Sequence, residues 1–221
     1  MTEKRCKTAI LISGSGSNLQ SFIDRVGDGN IEIVVVLSSR RDAHGLVRAR
    51  KAGIDSVCIE PRDHVDREQY DRAVAAELER WQPDLLILAG FMCILSPWFV
   101  RRYEGRILNI HPALLPAYSG LHTHERVIEA GDTAHGATVH FVTDELDAGP
   151  RIVQGRLPTL AGESADALAM RVLAIEHQIY PEAARWFAER RLQFRDGHAW
   201  LQDKRLTEPV RFEFDADGKR L

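Results

Sequence analysis

Short apolar runs alternate with helix-length amphipathic stretches along the first half of this chain, a pattern that predicts an α/β protein with a doubly wound, mostly parallel, Rossmann-like sheet. The runs are unbroken rather than alternating, as strands buried on both faces require. Past Pro112 the pattern changes to alternating segments and one long helical stretch, which adds C-terminal antiparallel strands and a long helix.

The strand runs are Thr8–Ile12, Ile31–Leu37, Asp84–Ala89 and Ile107–Ile110. Helical patterns cover Leu19–Val26, Ala43–Ala52, Arg67–Trp81 and Pro97–Tyr103. Pro112 has no N–H to donate, so the fourth strand stops before it. Residues 112–122 lack regular patterning and read as a loop. A helix near Thr123–Ala130 follows, then extended segments over Ala137–Val142 and Arg151–Leu157, then a long helix from near Ser164 to Arg190. Gln193–Leu206 suits a terminal hairpin, and the charged end Glu208–Leu221 is expected to fray. One domain over residues 1–206 and a charged tail over 207–221 account for the whole pattern.

Composition excludes several classes of function. A formal net charge of −3 gives no overall basic field for nucleic acid. Cys6, Cys58 and Cys93 are scattered and include no C-x-x-C pair, which points away from disulfides and zinc knuckles and toward a cytoplasmic compartment. Met1–Lys7 is short and polar, and no apolar run approaches the roughly 18 residues of a membrane span, so neither a leader nor a membrane partner is expected.

Ser13-Gly14-Ser15-Gly16-Ser17-Asn18 follows the first strand and opens the first helix, where backbone amides and the helix dipole favour an anion. It is a candidate phosphate cradle; a tight turn with Ser17 or Asn18 as N-cap would use the same residues. Leu19 stands where a dinucleotide fingerprint has its third glycine, and the second strand ends in Ser38-Ser39-Arg40-Arg41 rather than an acid, which disfavours NAD and leaves NADP weakly supported. The Walker pattern is absent.

Asn109 and His111 lie two residues apart at a strand end and so share a face. An amide donor beside an imidazole is what acyl transfer needs to hold an oxyanion and move a proton. Downstream, Thr143-Asp144-Glu145-Leu146-Asp147-Ala148-Gly149-Pro150 clusters carboxylates before a Gly-Pro turn. Asp147, nearest the turn, is the expected partner of His111; Asp144 and Glu145 read as solvated loop acids. His135 and His140 fall on opposite faces of their strand, poor geometry for two zinc ligands, so no metal is expected. No G-x-S-x-G elbow is present and no Cys adjoins a base, so no covalent acyl-enzyme is expected.

The glycine loop, Ala89-Gly90-Phe91-Met92, Asn109-Ile110-His111-Pro112, Gly120-Leu121-His122 and the Asp144–Pro150 run, taken in this order, resemble the phosphoribosylglycinamide formyltransferase family of the folate-dependent formyltransferase superfamily. The resemblance runs from about Lys7 to Trp200. It implies transfer of the formyl group of 10-formyltetrahydrofolate, as co-substrate, to the amine of 5'-phosphoribosylglycinamide in purine synthesis. By position it implies that Asn109, His111 and Asp147 are catalytic and that Gly16, Ser17, Asn18, Leu19 and Glu176 meet the nucleotide's phosphate and ribose. Arg67, Met92, Cys93, Ile94, Leu95, Asn109 and the loop Thr143, Asp144, Glu145, Leu146 and Asp147 would meet the folate. Partners would be these small molecules, in a monomer or homodimer.

Four positions depart from residues common in that family. Cys93 stands where Arg is frequent, Ala113 where Ser is, Ala117 where a basic residue is, and Ser119 where Pro is. Two lost cations predict a weaker grip on the ligands' anionic groups, with little contribution from a polyglutamate tail. Within the superfamily, methionyl-tRNA formyltransferase would need a further C-terminal RNA-binding domain, and formyltetrahydrofolate hydrolase an N-terminal regulatory one. A non-catalytic phosphate-ligand module would use the glycine loop alone.

Overall fold

The computed structural model describes residues 5–26 and 29–221, so the start of Met1–Lys7 lies outside the described residues. The strands are β1 (Cys6–Ile12), β2 (Ile31–Ser38), β3 (Ser56–Cys58), β4 (Leu85–Leu88), β5 (Ile107–His111), β6 (Ala134–Phe141), β7 (Arg151–Pro158), β8 (Leu192–Arg195), β9 (His198–Leu201), β10 (Lys204–Arg205) and β11 (Val210–Glu213). The helices are α1 (Ser17–Val26), α2 (His44–Lys51), α3 (Arg67–Trp81), α4 (Pro97–Arg102), α5 (Thr123–Ala130) and α6 (Ala165–Ala188). Side-chain caps set several starts: Asp66 accepts from Gln69 N for α3, Ser96 from Phe99 N for α4, and Ser164 from Ala167 N for α6.

One sheet runs β11-β7-β6-β5-β4-β1-β2-β3, and β8 to β10 form a separate antiparallel sheet. Within the large sheet β6 alone runs against its neighbours β5 and β7. The unbroken apolar runs follow from the two covered faces. Ile10 and Ile12 of β1 join a core with Phe22 of α1 and Ile175 and Ile179 of α6, whereas Ala9 and Leu11 join one with Tyr70, Val74 and Leu78 of α3.

One expectation needs correction. The charged end does not fray: Val210–Glu213 pairs in parallel with β7, Arg156 lies 3.3 Å from Glu213, and Phe214 is buried. Val210 and Phe212 supply the apolar contacts of a strand too short to announce itself. The terminal hairpin carries a third strand, β10, and Phe194 of β8 stacks edge-on against Phe141 at 5.3 Å.

Chain order reverses between β1 and β4: from β1 the sheet grows outward through β2 and β3, then from β4 it grows the other way. Ligand crevices of open α/β sheets form at the carboxyl ends of strands flanking such a reversal. The loops after β1, β4 and β5 meet there. Tyr180 of α6 ties the strands beneath it, its hydroxyl lying 3.1 Å from Leu88 O and 2.8 Å from Leu108 O.

Candidate active site

The glycine loop leaves β1 at the switch point, where Ser13 holds two neighbouring loops. Ser13 N donates to Gly90 O at 3.1 Å, Met92 N donates to Ser13 Oγ at 2.8 Å, and the Ser13 and Ser39 hydroxyls lie 2.6 Å apart. Gly16 has φ +70°, and a Cβ there would stand 2.6 Å from Gly45 Cα, so the turn needs glycine on both grounds. Its tight approach to α2 is completed by Gly45 N donating to Gly14 O at 3.1 Å. A cavity of about 340 Å³ opens above the loop, lined by Gly14 to Asn18, Ala89, Gly90 and Arg40.

Asn18 is not the helix cap. Its amide nitrogen donates to Glu176 Oε2 of α6 at 2.7 Å, while its buried Oδ1 has no partner among the described residues. Burial raises the Glu176 carboxyl to about 7 against the opposing pull of the Asn18 hydrogen bond. Gly16, Ser17 and Asn18 line one cleft, Glu176 of α6 lies behind Asn18, and the Leu19 side chain is buried in the core beneath.

Asn109 and His111 end β5, beside the β4 loop. His111 lies with Nε2 2.9 Å from Tyr118 O and Nδ1 3.5 Å from Asp147 Oδ2. A carbonyl only accepts, so Nε2 carries a hydrogen and Nδ1 is the nitrogen free to take up a proton. Asp147 has φ +54°, a left-handed conformation uncommon for Asp, and its Oδ2 also accepts from Gly120 N at 3.0 Å. The loop 112–122 is thereby held at its tip. Its base is held too: Thr138 Oγ1 donates to Ala113 O at 2.6 Å, and Gln154 Nε2 donates to Leu115 O at 2.7 Å.

The sequence considered His140 only as a zinc ligand, and here it joins the cluster. The β5–β6 register sets it opposite Asn109, with its Nε2 3.1 Å from Asn109 Nδ2 and 4.0 Å from Asp147 Oδ1. Burial lowers its pKa, and its Nδ1 lies 2.9 Å from Phe141 O. The neutral tautomer with hydrogen on Nδ1 satisfies both contacts. His135 is elsewhere, 3.0 Å from His124 of α5.

Of the other expected ligand-binding residues, Met92 and Ile94 are exposed at 73% and 60%, whereas Cys93 and Leu95 pack inward on the cluster around Tyr70. The segment thus offers an apolar face, pinned beyond its end by Asp71 of α3, whose Oδ2 accepts from Ser96 N. Arg67 is exposed at the start of α3. Asp144 is paired with Arg101 at 3.0 Å, and Leu146 is exposed. Thr143 Oγ1 lies 3.4 Å from Glu145 O, an internal tie of the loop.

The model of the formyl transferase family matches residues 6–184. The chain is 51% identical to the phosphoribosylglycinamide formyltransferase of Escherichia coli over 89% of its own length and 94% of that protein's. Its fold is similar to the phosphoribosylglycinamide formyltransferase of Coxiella burnetii, at TM-score 0.89 and 43% identity over 93% of this chain and 99% of that one. It is also similar to glycinamide ribonucleotide transformylase 1 of Symbiobacterium toebii, at TM-score 0.87 and 42% identity over 91% and 96%.

Proposed function

The chain belongs to the formyl transferase family, and from that premise we propose that it is a phosphoribosylglycinamide formyltransferase of purine biosynthesis that uses 10-formyltetrahydrofolate as donor. The observation that carries this reading is the convergence of Asn109, His111, His140 and Asp147 next to a glycine-loop cleft. A cleft for a phosphorylated amine and a cluster for acyl transfer are brought together at one sheet reversal.

The nucleotide's phosphate sits over the amides of residues 14–18 at the N-terminus of α1, and its ribose reaches Asn18 and Glu176. The folate lies on Met92 and Ile94, with its ring against the loop 143–147. The glycinamide nitrogen attacks the formyl carbon, and Asn109 Nδ2 holds the oxyanion that forms, joined by His111 once its Nδ1 has taken up a hydrogen. The amine gives up a proton toward His111 Nδ1, where Asp147 steadies the imidazolium. Collapse breaks the carbon–N10 bond, the proton held on His111 passes to N10, and formylglycinamide ribonucleotide and tetrahydrofolate leave with His111 neutral again. Holding both reactants in line supplies much of the rate.

Folate absorbance, followed in purified protein with 10-formyltetrahydrofolate, tests this. Tetrahydrofolate released only when 5'-phosphoribosylglycinamide is added supports the assignment; release without the nucleotide would mark a hydrolase, and no release in either case would remove the enzymatic reading.

A further inference from the structure

Ser13 opens the glycine loop and also holds the segment that carries Met92 and Ile94. It is 4% exposed, its N–H donates to Gly90 O at 3.1 Å, and its Oγ accepts from Met92 N at 2.8 Å. Ser39, equally buried just past β2, sets its hydroxyl 2.6 Å from the same Oγ, while Ser39 N donates to Ile12 O at 3.0 Å. The loops after β1, β2 and β4 thus meet on one buried hydroxyl. Ser13 and Met92 line both the nucleotide cleft and an adjoining cavity of about 670 Å³. At its far end the segment is tied by Ser96 N, which donates to the buried Asp71 Oδ2 at 2.5 Å. Among the described residues no backbone hydrogen bond holds residues 93–95 between those two ties. The Met92 and Ile94 face is therefore set at two points, and one of them is the root of the glycine loop.

We propose that the Ser13 hydroxyl couples the two substrate sites: a nucleotide phosphate settled over residues 14–18 steadies the Met92 segment for the folate, and the folate in turn tightens the nucleotide. The inference rests on the ligand readings above. A phosphate accepting from the loop amides restrains the backbone that begins at Ser13, and the hydroxyl fixed there gives Met92 N a fixed acceptor. A segment held by so few bonds is the kind of element on which such a restraint acts. Ordering it before the donor arrives removes part of the entropy the donor would otherwise lose in ordering it. The coupling is reciprocal by thermodynamic necessity.

Amide exchange and calorimetry on the full-length chain test this. In wild type without folate, saturating 5'-phosphoribosylglycinamide should slow exchange over residues 89–96 by about fivefold. In Ser13→Ala, with the nucleotide again at saturation, that slowing should vanish; protection that survives would mean that the nucleotide covers the segment directly, and would overturn the proposal. Calorimetry then gives the Kd of tetrahydrofolate, which has no formyl group to transfer, with and without nucleotide. In wild type it should be about fivefold lower with nucleotide, and in Ser13→Ala the two values should agree within about twofold. Ser39→Ala keeps the bond between Ser13 and Met92 and should retain the coupling; an equal loss there would show a general loosening and count against the proposal, as would equal Kd values in wild type. Failure of the wild type to bind the nucleotide at all would remove the functional reading and the coupling together, whereas binding of both ligands without mutual effect removes the coupling alone.

Discussion

His140 Nε2 stands 3.1 Å from Asn109 Nδ2, and that contact decides which way the Asn109 amide points. The neutral imidazole can only accept at Nε2, because its Nδ1 hydrogen is directed to Phe141 O at 2.9 Å. Asn109 must therefore turn its NH₂ toward His140, and the second hydrogen of that group is left for an oxyanion. On the proposed mechanism, His140 acts through Asn109 as a positioning residue.

Replacing His140 by Leu removes the acceptor and frees the amide to flip. We expect kcat to fall by up to about a hundredfold with little change in either KM, since misplacement of a reacting group is expressed in the chemical step. His140→Gln, which retains an acceptor, should recover part of the loss. Steady-state kinetics on the three proteins checks this; a KM effect without a kcat effect would assign His140 to binding.

Gly149 follows Asp147 by two residues, and a Cβ there would lie 1.8 Å from Phe141 O. The loop bearing Asp147 can pass β6 only with no side chain at that point. Gly149→Ala should lower stability by about 1–3 kcal/mol. It should also reduce kcat more than it reduces affinity for the nucleotide, whose cleft lies across β4. Thermal unfolding together with nucleotide binding measures both; unchanged kcat would show that the loop tolerates the shift.

Burial lowers His135 to about 4, with the charges of His124 and His111 acting in the same direction. His124 is lowered as well, and one of the two facing nitrogens must accept the other's hydrogen. The unfolded chain takes up a proton near pH 6.5, whereas the folded His135 resists until about pH 4. Stability from this group is therefore complete above about pH 6.5 and lost as pH falls toward about 4, up to roughly 3 kcal/mol. Glu176, raised to about 7, slopes the other way, so folding loses its contribution as pH rises from about 4.5 to 7. Urea unfolding at pH 7 and pH 4.5 should show a smaller acid-side loss for His135→Phe than for wild type; equal losses would mean that the His124–His135 pair is not the source.

Much of this arrangement was legible in the sequence because it is local. The α3 and α5 segments match the predicted Arg67–Trp81 and Thr123–Ala130, since caps and apolar spacing lie within each segment. Asn109 and His111 share a face because a strand alternates. His140 was not legible as a site residue, since its meeting with Asn109 depends on the β5–β6 register, which residues about 30 apart do not announce. Asn18 and Glu176 were both expected at the nucleotide site, but their direct contact depends on how α1 packs on α6. For β3 and β11 the runs are too short to carry a period.

On the proposed mechanism Asn109 holds the oxyanion of a direct formyl transfer, so the turnover of Asn109→Ala is the decisive measurement. With folding confirmed by an unchanged unfolding midpoint, kcat should fall on the order of a hundredfold to a thousandfold while the nucleotide still binds. Turnover close to that of the wild type would contradict the account.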